Sequence, residues 1–197
     1  MKRLIAYAAT ICLALVWAPA ARSASLDFEG FLDTTPLTHQ YPNVTFTNAT
    51  VLTAGLSLNE VDFPPLSGTN VIFDDSGAMN AVFSTPLSSW AGYLTYTSPL
   101  TLTFFGSGNA VLGVVNSAFS NNTATGGDAG SAPNELLFFS SLAGIEGVQI
   151  LGDPGGGSFT ADDWELAASA VSDVPEPALL APVGAILLIL FRRGRSL

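Results

Sequence analysis

Residues 25–170 of this 197-residue chain are predicted to form an antiparallel all-β sandwich, on three observations. Short segments rich in β-branched and aromatic residues recur at roughly the 8–12-residue spacing of sandwich strands. Turn-forming residues separate them. No stretch outside the two ends carries an apolar repeat of about 3.6 residues with helix caps.

The expected strands, in order, cover residues 44–50, 70–73, 79–84, 93–97, 100–105, 110–115, 136–139, 148–151 and 159–166. Thr45, Thr47, Thr95, Thr97, Thr101 and Thr103 alternate with larger residues, the two-residue period of a strand with one face buried. The breakers are Pro64-Pro65, Ser76-Gly77, Gly106-Ser107-Gly108-Asn109 and Asp153-Pro154-Gly155-Gly156-Gly157. The stretch 117–134, rich in Asn, Thr, Gly and Ala, carries no pattern and is expected to be a mobile loop at one sheet edge. Hydrophobic residues make up 48% of the chain, enough for a core, so the acidic composition does not signal a disordered tail.

Charge is distributed more unevenly than the net value of −10 suggests. The six basic residues are Lys2, Arg3, Arg22, Arg192, Arg193 and Arg195, and none lies between Ser23 and Phe191. All 16 carboxylates lie within that basic-free interval. A domain without a cation repels nucleic acid and phosphate and has no arginine clamp for an anionic substrate. Bound cations, neutral glycans and a hydrated extracellular matrix are compatible with it. Cys12, the single cysteine, sits in the first apolar run, so a chain that loses that run has no disulfide and no thiolate chemistry.

Both ends read as addresses. Lys2 and Arg3, an apolar run over 4–18 and small residues after it follow the order of a secretory signal peptide over 1–24, with cleavage between Ala20 and Ser25 by signal peptidase. At the other end, over 171–197, Val174-Pro175-Glu176-Pro177 precedes a fourteen-residue apolar run, 178–191, and then Arg192, Arg193 and Arg195 in a basic tail, 192–197. As a helix that run rises about 21 Å, short of a hydrocarbon core of about 30 Å. The arginines stay on the cytoplasmic side, so everything between the ends is translocated.

This tail resembles the PEP-CTERM sorting signal of Gram-negative bacteria that make exopolysaccharide. The resemblance implies processing by an exosortase, with Pro175, Glu176 and Pro177 as recognition residues, 178–191 as a short hydrophobic helix in the inner membrane, and Arg192, Arg193 and Arg195 as the stop. The protein is then held briefly at the inner membrane before reaching the cell surface or the extracellular matrix.

The middle is similar to jelly-roll domains of the carbohydrate-binding-module kind. Three stretches carry the likeness: Leu26-Asp27-Phe28-Glu29 with the later Tyr41-Pro42-Asn43-Val44-Thr45-Phe46, the hairpin around Gly106-Ser107-Gly108, and 144–150 with Phe159-Thr160-Ala161-Asp162-Asp163-Trp164. The resemblance implies a structural Ca²⁺ tying first strand to last, through Asp27, Glu29 and Asp162. Asp162 and Asp163 point to opposite faces, so only one of them joins such a site.

Other candidates have plainer readings. Asp74-Asp75-Ser76-Gly77 lacks the spacing of an EF-hand loop and reads as an Asx-stabilised turn. His39, the single histidine, reads as a surface residue, and no Gly-x-Ser-x-Gly elbow accompanies it. Trp90, Trp164, Tyr93 and Tyr96 could stack against sugars, but aromatics in a sandwich mostly fill the core. The expected function is therefore a non-catalytic surface or matrix protein, with a polysaccharide as possible partner. A dedicated glycan-binding module is the alternative, and a secreted glycan-active enzyme comes third.

Overall fold

The computed structural model describes residues 23–169, and they are almost wholly strand and turn. The expected signal peptide and the sorting tail, including Val174, Pro175, Glu176, Pro177, Arg192, Arg193 and Arg195, lie outside the described residues. Among the described residues no helix is long and apolar enough to cross a membrane.

Ten strands form: β1 (Ser23–Leu26), β2 (Pro36–Leu37), β3 (Val44–Thr47), β4 (Ala49–Thr53), β5 (Asn70–Asp74), β6 (Met79–Tyr96), β7 (Thr101–Phe105), β8 (Val111–Asn116), β9 (Glu135–Leu151) and β10 (Phe159–Ala168). Every ladder between them is antiparallel, in the order β2-β4-β5-β10-β6-β9-β7-β8, with β1 on β10 and β3 on β6. The predicted all-β antiparallel class is the one observed.

Two long strands turn this single ladder into two facing layers. Residues 79–82 of β6 pair with 147–150 of β9, while residues 89–94 pair with 135–140, and the register slips between Val82 and Ser89. Such slips bend a strand sharply. The pair β3–β4 and β5–β6 bends at the opposite rim, past the Thr47–Asn80 end of its ladder. There Asn48 takes a left-handed conformation (φ 56°), and its amide donates to Ser76 O at 3.2 Å and Ala78 O at 3.1 Å. One layer then holds β2, β4, β5, β1, β10 and the first half of β9 beside the second half of β6. The other holds β3, β7, β8 and the opposite halves of the two long strands.

Aromatic side chains from both layers meet in between. Phe46 on β3 lies 5.4 Å from Trp164 on β10, and Phe104 on β7 stacks on Phe139 of β9 at 4.3 Å with rings 13° apart. Trp90 and Trp164 pack edge to face at 5.1 Å, both fully buried. Gly92 makes that approach possible, since a β-carbon there would lie 2.9 Å from both indoles. Neither indole N–H finds an acceptor. Leaving each unmade costs about 1–3 kcal/mol, which the large apolar area of two buried indoles offsets.

The stretches 79–84 and 93–97, expected as two strands, are parts of one strand, and so are 136–139 and 148–151. The intervening Ser, Thr, Pro and Gly residues only bend the chain. The expected strand 44–50 is instead divided at Asn48.

The stretch 117–134 is not the mobile loop that its composition suggests. Asn122 is fully buried; its Nδ2 donates to Leu94 O at 2.9 Å and its Oδ1 accepts from Tyr96 N at 2.6 Å, so it fills a strand position beside β6. Asp128 Oδ2 accepts from Ser120 N at 2.8 Å and Asn121 N at 3.2 Å. Glu135 accepts the Tyr96 hydroxyl and, at 3.0 Å, Ala118 N. Burial pushes the Tyr96 hydroxyl up to about 12, and its bond to Glu135 adds to the rise.

Asp74 corrects a second expectation. Its carboxylate does not cap a turn but sits fully buried between β5 and the start of β10. It accepts from Ser158 N at 2.9 Å, Ser158 Oγ at 2.9 Å and Phe159 N at 2.9 Å. Burial raises its pKa, while these hydrogen bonds pull the other way.

Candidate functional site

A trough lies on the outer face of the β3–β6–β9–β7–β8 layer. Strand alternation sends Asn80 and Val82 of β6, Gly147 and Gln149 of β9, and Thr103 and Phe105 of β7 to that face. The ladders align them in two rows, Asn80–Gln149–Thr103 and Val82–Gly147–Phe105. Gly147 lies between two large side chains, so the second row dips at its centre. The turn Gly106–Asn109 and Glu146 close one end, and the cleft measures about 450 Å³.

The lining is chemically sparse. Val82, 57% exposed, and half-buried Phe105 offer apolar walls. Gln149 Nε2 donates to Asn80 Oδ1 at 3.0 Å, and Asn80 Nδ2 donates to Ala78 O at 3.1 Å, which fixes both amides. Asn109 and Glu146 line the cleft beside Gln149. Glu146 is the one carboxylate in this lining, which holds no cation and no histidine. A glycosidase pair needs a second carboxyl about 5–9.5 Å away across the scissile bond. The trough offers hydrogen-bond acceptors, an amide donor and apolar walls, a combination suited to a neutral, hydroxyl-rich molecule.

A smaller trough of about 270 Å³ lies on the outer face of the other layer. Ala91 forms its floor, Tyr93, Leu136 and Phe138 its walls, and Glu165 and Ser23 its rim.

The residues singled out from the sequence fall elsewhere. Asp27, Glu29 and Asp162 do approach one corner, around the Tyr41 hydroxyl. Burial pushes that hydroxyl up to about 12, and the three carboxylates add to the rise. Each carboxylate already serves the backbone. Asp27 Oδ1 accepts from Glu29 N at 3.1 Å, and Glu29 Oε1 accepts from Thr69 N and Asn70 N, both at 2.8 Å. Asp162 is 1% exposed and accepts from Leu66 N at 2.8 Å, Ser67 N at 3.2 Å and Asp163 N at 2.8 Å. Its pKa is pushed up to about 6, chiefly by burial, with Asp163 adding to the rise.

These bonds clamp the 66–70 loop against β10 and the exit of β1. N–H donors stand where calcium would need open oxygens. Among the described residues no group of three His, Cys, Asp or Glu side chains is placed to hold a metal ion. The three carboxylates therefore do not fit a calcium cage in this arrangement.

Gly68 belongs to the clamp, because its φ of 54° is left-handed and a β-carbon there would fall on the Glu29 carboxylate. His39 is exposed, with Nδ1 3.0 Å from Thr45 Oγ1. Trp90, Trp164 and Tyr96 are core residues, as aromatics in a sandwich mostly are, whereas Tyr93 alone of the four faces outward. Asn80, Phe105, Asn109, Glu146 and Gln149 were not singled out as site residues in the sequence. Each is ordinary there, and only the registers of β6, β9 and β7 bring them together.

No protein-family model matches the chain, and no curated protein matches it. Solved structures do. A cleaved adhesin domain of Lys-gingipain superposes with a TM-score of 0.46 at 13% identity, covering 74% of this chain and 99% of that one. A second cleaved adhesin domain of Lys-gingipain, from Porphyromonas gingivalis, gives 0.45 at 9% identity over 75% and 98%. The family 11 carbohydrate-binding module of a cellulosomal cellulase of Clostridium thermocellum gives 0.33 at 13% identity over 76% and 96%.

Proposed function

We propose that this is an exported, non-catalytic surface or matrix protein whose domain holds a neutral polysaccharide in the β6–β9–β7 trough. The observation that carries this reading is the lining itself: apolar walls, fixed amides and a single carboxylate, on a domain with no cation between Ser23 and Phe191. Sugar hydroxyls donate to Glu146 and to Gln149 Oε1, the Asn109 amide donates back, and the C–H face of a ring lies on Phe105 and Val82. An acidic glycan meets uncompensated negative charge and is rejected.

The test uses residues 23–169, which form a compact unit with its own core. On an array of neutral and acidic polysaccharides, binding is expected only to neutral chains. Phe105→Ala or Gln149→Ala should weaken it by about tenfold, roughly 1.4 kcal/mol each. No binding to any neutral chain, or binding indifferent to both substitutions, would sink the reading. Turnover of a bound polysaccharide would favour the enzyme instead.

Sorting forms the second half of the proposal and rests on the Val174-Pro175-Glu176-Pro177 tail. In a host that carries an exosortase, Glu176→Ala is expected to leave the unprocessed chain in the membrane fraction. Normal release of that variant would contradict exosortase processing.

A further inference from the structure

The two halves of β9 have different surroundings. Its second half lies between β6 and β7, whereas residues 135–140 pair with β6 on one side only. Among the described residues no strand pairs with the other side of that segment. The bare edge reads Glu135-Leu136-Leu137-Phe138-Phe139-Ser140-Ser141-Leu142. Sheet edges in natural proteins are usually guarded by lysine, proline, a bulge or an inward charge. Residues 136–140 have none of them: their register with β6 is regular, the slip falls only beyond Ser140, and no charged residue occurs from Leu136 to Ile145. Leu136 is 52% exposed, Phe138 57% and Leu142 fully so. An uncharged, β-prone run of six or more residues on an open edge is a template for strand addition.

We propose that the occupant of this edge is a second copy of the chain, its β9 running antiparallel to the first across a two-fold axis near Phe138. Charge identifies both the partner and the direction. The described domain carries carboxylates and no Lys or Arg, so two copies repel wherever acidic surfaces meet. They can approach along 136–145, beside the equally uncharged stretch 76–127 that supplies β6, β7 and β8. Antiparallel pairing about Phe138 sets Glu135 opposite Ser141 of the other copy, whereas parallel pairing in register would stack Glu135 on its twin. It also sets Phe138 beside Phe138 on the outer face, an aromatic cross-strand pair. The contact is isologous, so it closes at two copies.

Sedimentation velocity on residues 23–169, over micromolar to millimolar concentrations, tests this. A monomer–dimer equilibrium is expected. Phe138→Lys and Leu142→Lys should each weaken it by about tenfold or more, and Leu56→Lys, on an exposed loop, should leave it unchanged. Leu142 is fully exposed, so its variant folds irrespective of the dimer. No intermolecular salt bridge to Lys or Arg is available to the described domain, so added salt should tighten the dimer by screening repulsion. A monomer at every concentration, open-ended fibres, or a dimer indifferent to both lysine variants would overturn the proposal. Glycan binding in the trough on the other layer tests separately, since Phe138 and Leu142 do not line it.

Discussion

Asp74→Ala is expected to lower the unfolding free energy by about 3 kcal/mol or more, read from urea denaturation of residues 23–169 at neutral pH. The carboxylate holds three donors, Ser158 N, Ser158 Oγ and Phe159 N, in a site from which water is excluded. Alanine leaves all three unsatisfied, and each buried orphan costs about 1–3 kcal/mol. The position also anchors the Gly-rich turn, because Gly157 N donates to Asp74 O at 2.6 Å. Asp74→Asn keeps one acceptor oxygen and removes the buried charge, so it should cost less than alanine. If the alanine variant lost under about 1 kcal/mol, the charge would have to cost nearly what its hydrogen bonds contribute.

Melting temperature is expected to rise as the pH falls from 7.5 to 4.5, opposite to the behaviour of most acidic domains. Asp162 has its folded pKa raised from 3.8 to about 6, and Asp74 is raised in the same direction. A carboxyl with a raised folded pKa binds its proton more tightly when folded. Its contribution is therefore fully present below the unfolded pKa and lost as pH rises through the folded one. For Asp162 that window runs from about 4 to about 6 and is worth on the order of 2 kcal/mol. Relief of repulsion among the remaining carboxylates acts in the same sense. Ordinary acid unfolding also draws on accumulated positive charge, and residues 23–169 hold no Lys or Arg to supply it. Calorimetry across this range decides the matter: a falling melting temperature would show that carboxylate hydrogen bonds outweigh burial. Asp162→Asn should flatten the slope.

The strands were legible because each has one buried face and a two-residue alternation, and the tight turns because Gly, Pro and Asn mark them. Their continuity was not. Ser84, Thr85 and Pro86 look like a break, yet they form the bend of β6 where it passes from one layer to the other. Residues 140–144 do the same for β9. The loop after β8 looked mobile because its anchor, Asn122, is one amide in a polar run, and nothing local reveals that Leu94 and Tyr96 await it. The partners of the acidic side chains were equally hidden. Asp162 and Glu29 were read as ligands by analogy, and in the structure they accept from the backbone N–H groups of Leu66, Ser67, Thr69 and Asn70. The trough depends on registers among β6, β9 and β7, contacts separated by some 40–70 residues, and no local pattern encodes these.

The pairing of Ser23 with Ala167 sets how the domain bears load. Because β1 and β10 are antiparallel neighbours, the described chain enters and leaves side by side. Tension applied between those two points peels the rungs one at a time, starting at Ser23–Ala167, rather than shearing them together. A tether at a single end passes no force through that seam. A domain held at both ends and pulled would release β1 first and expose the flank of β10, so it makes a sound pendant and a weak link.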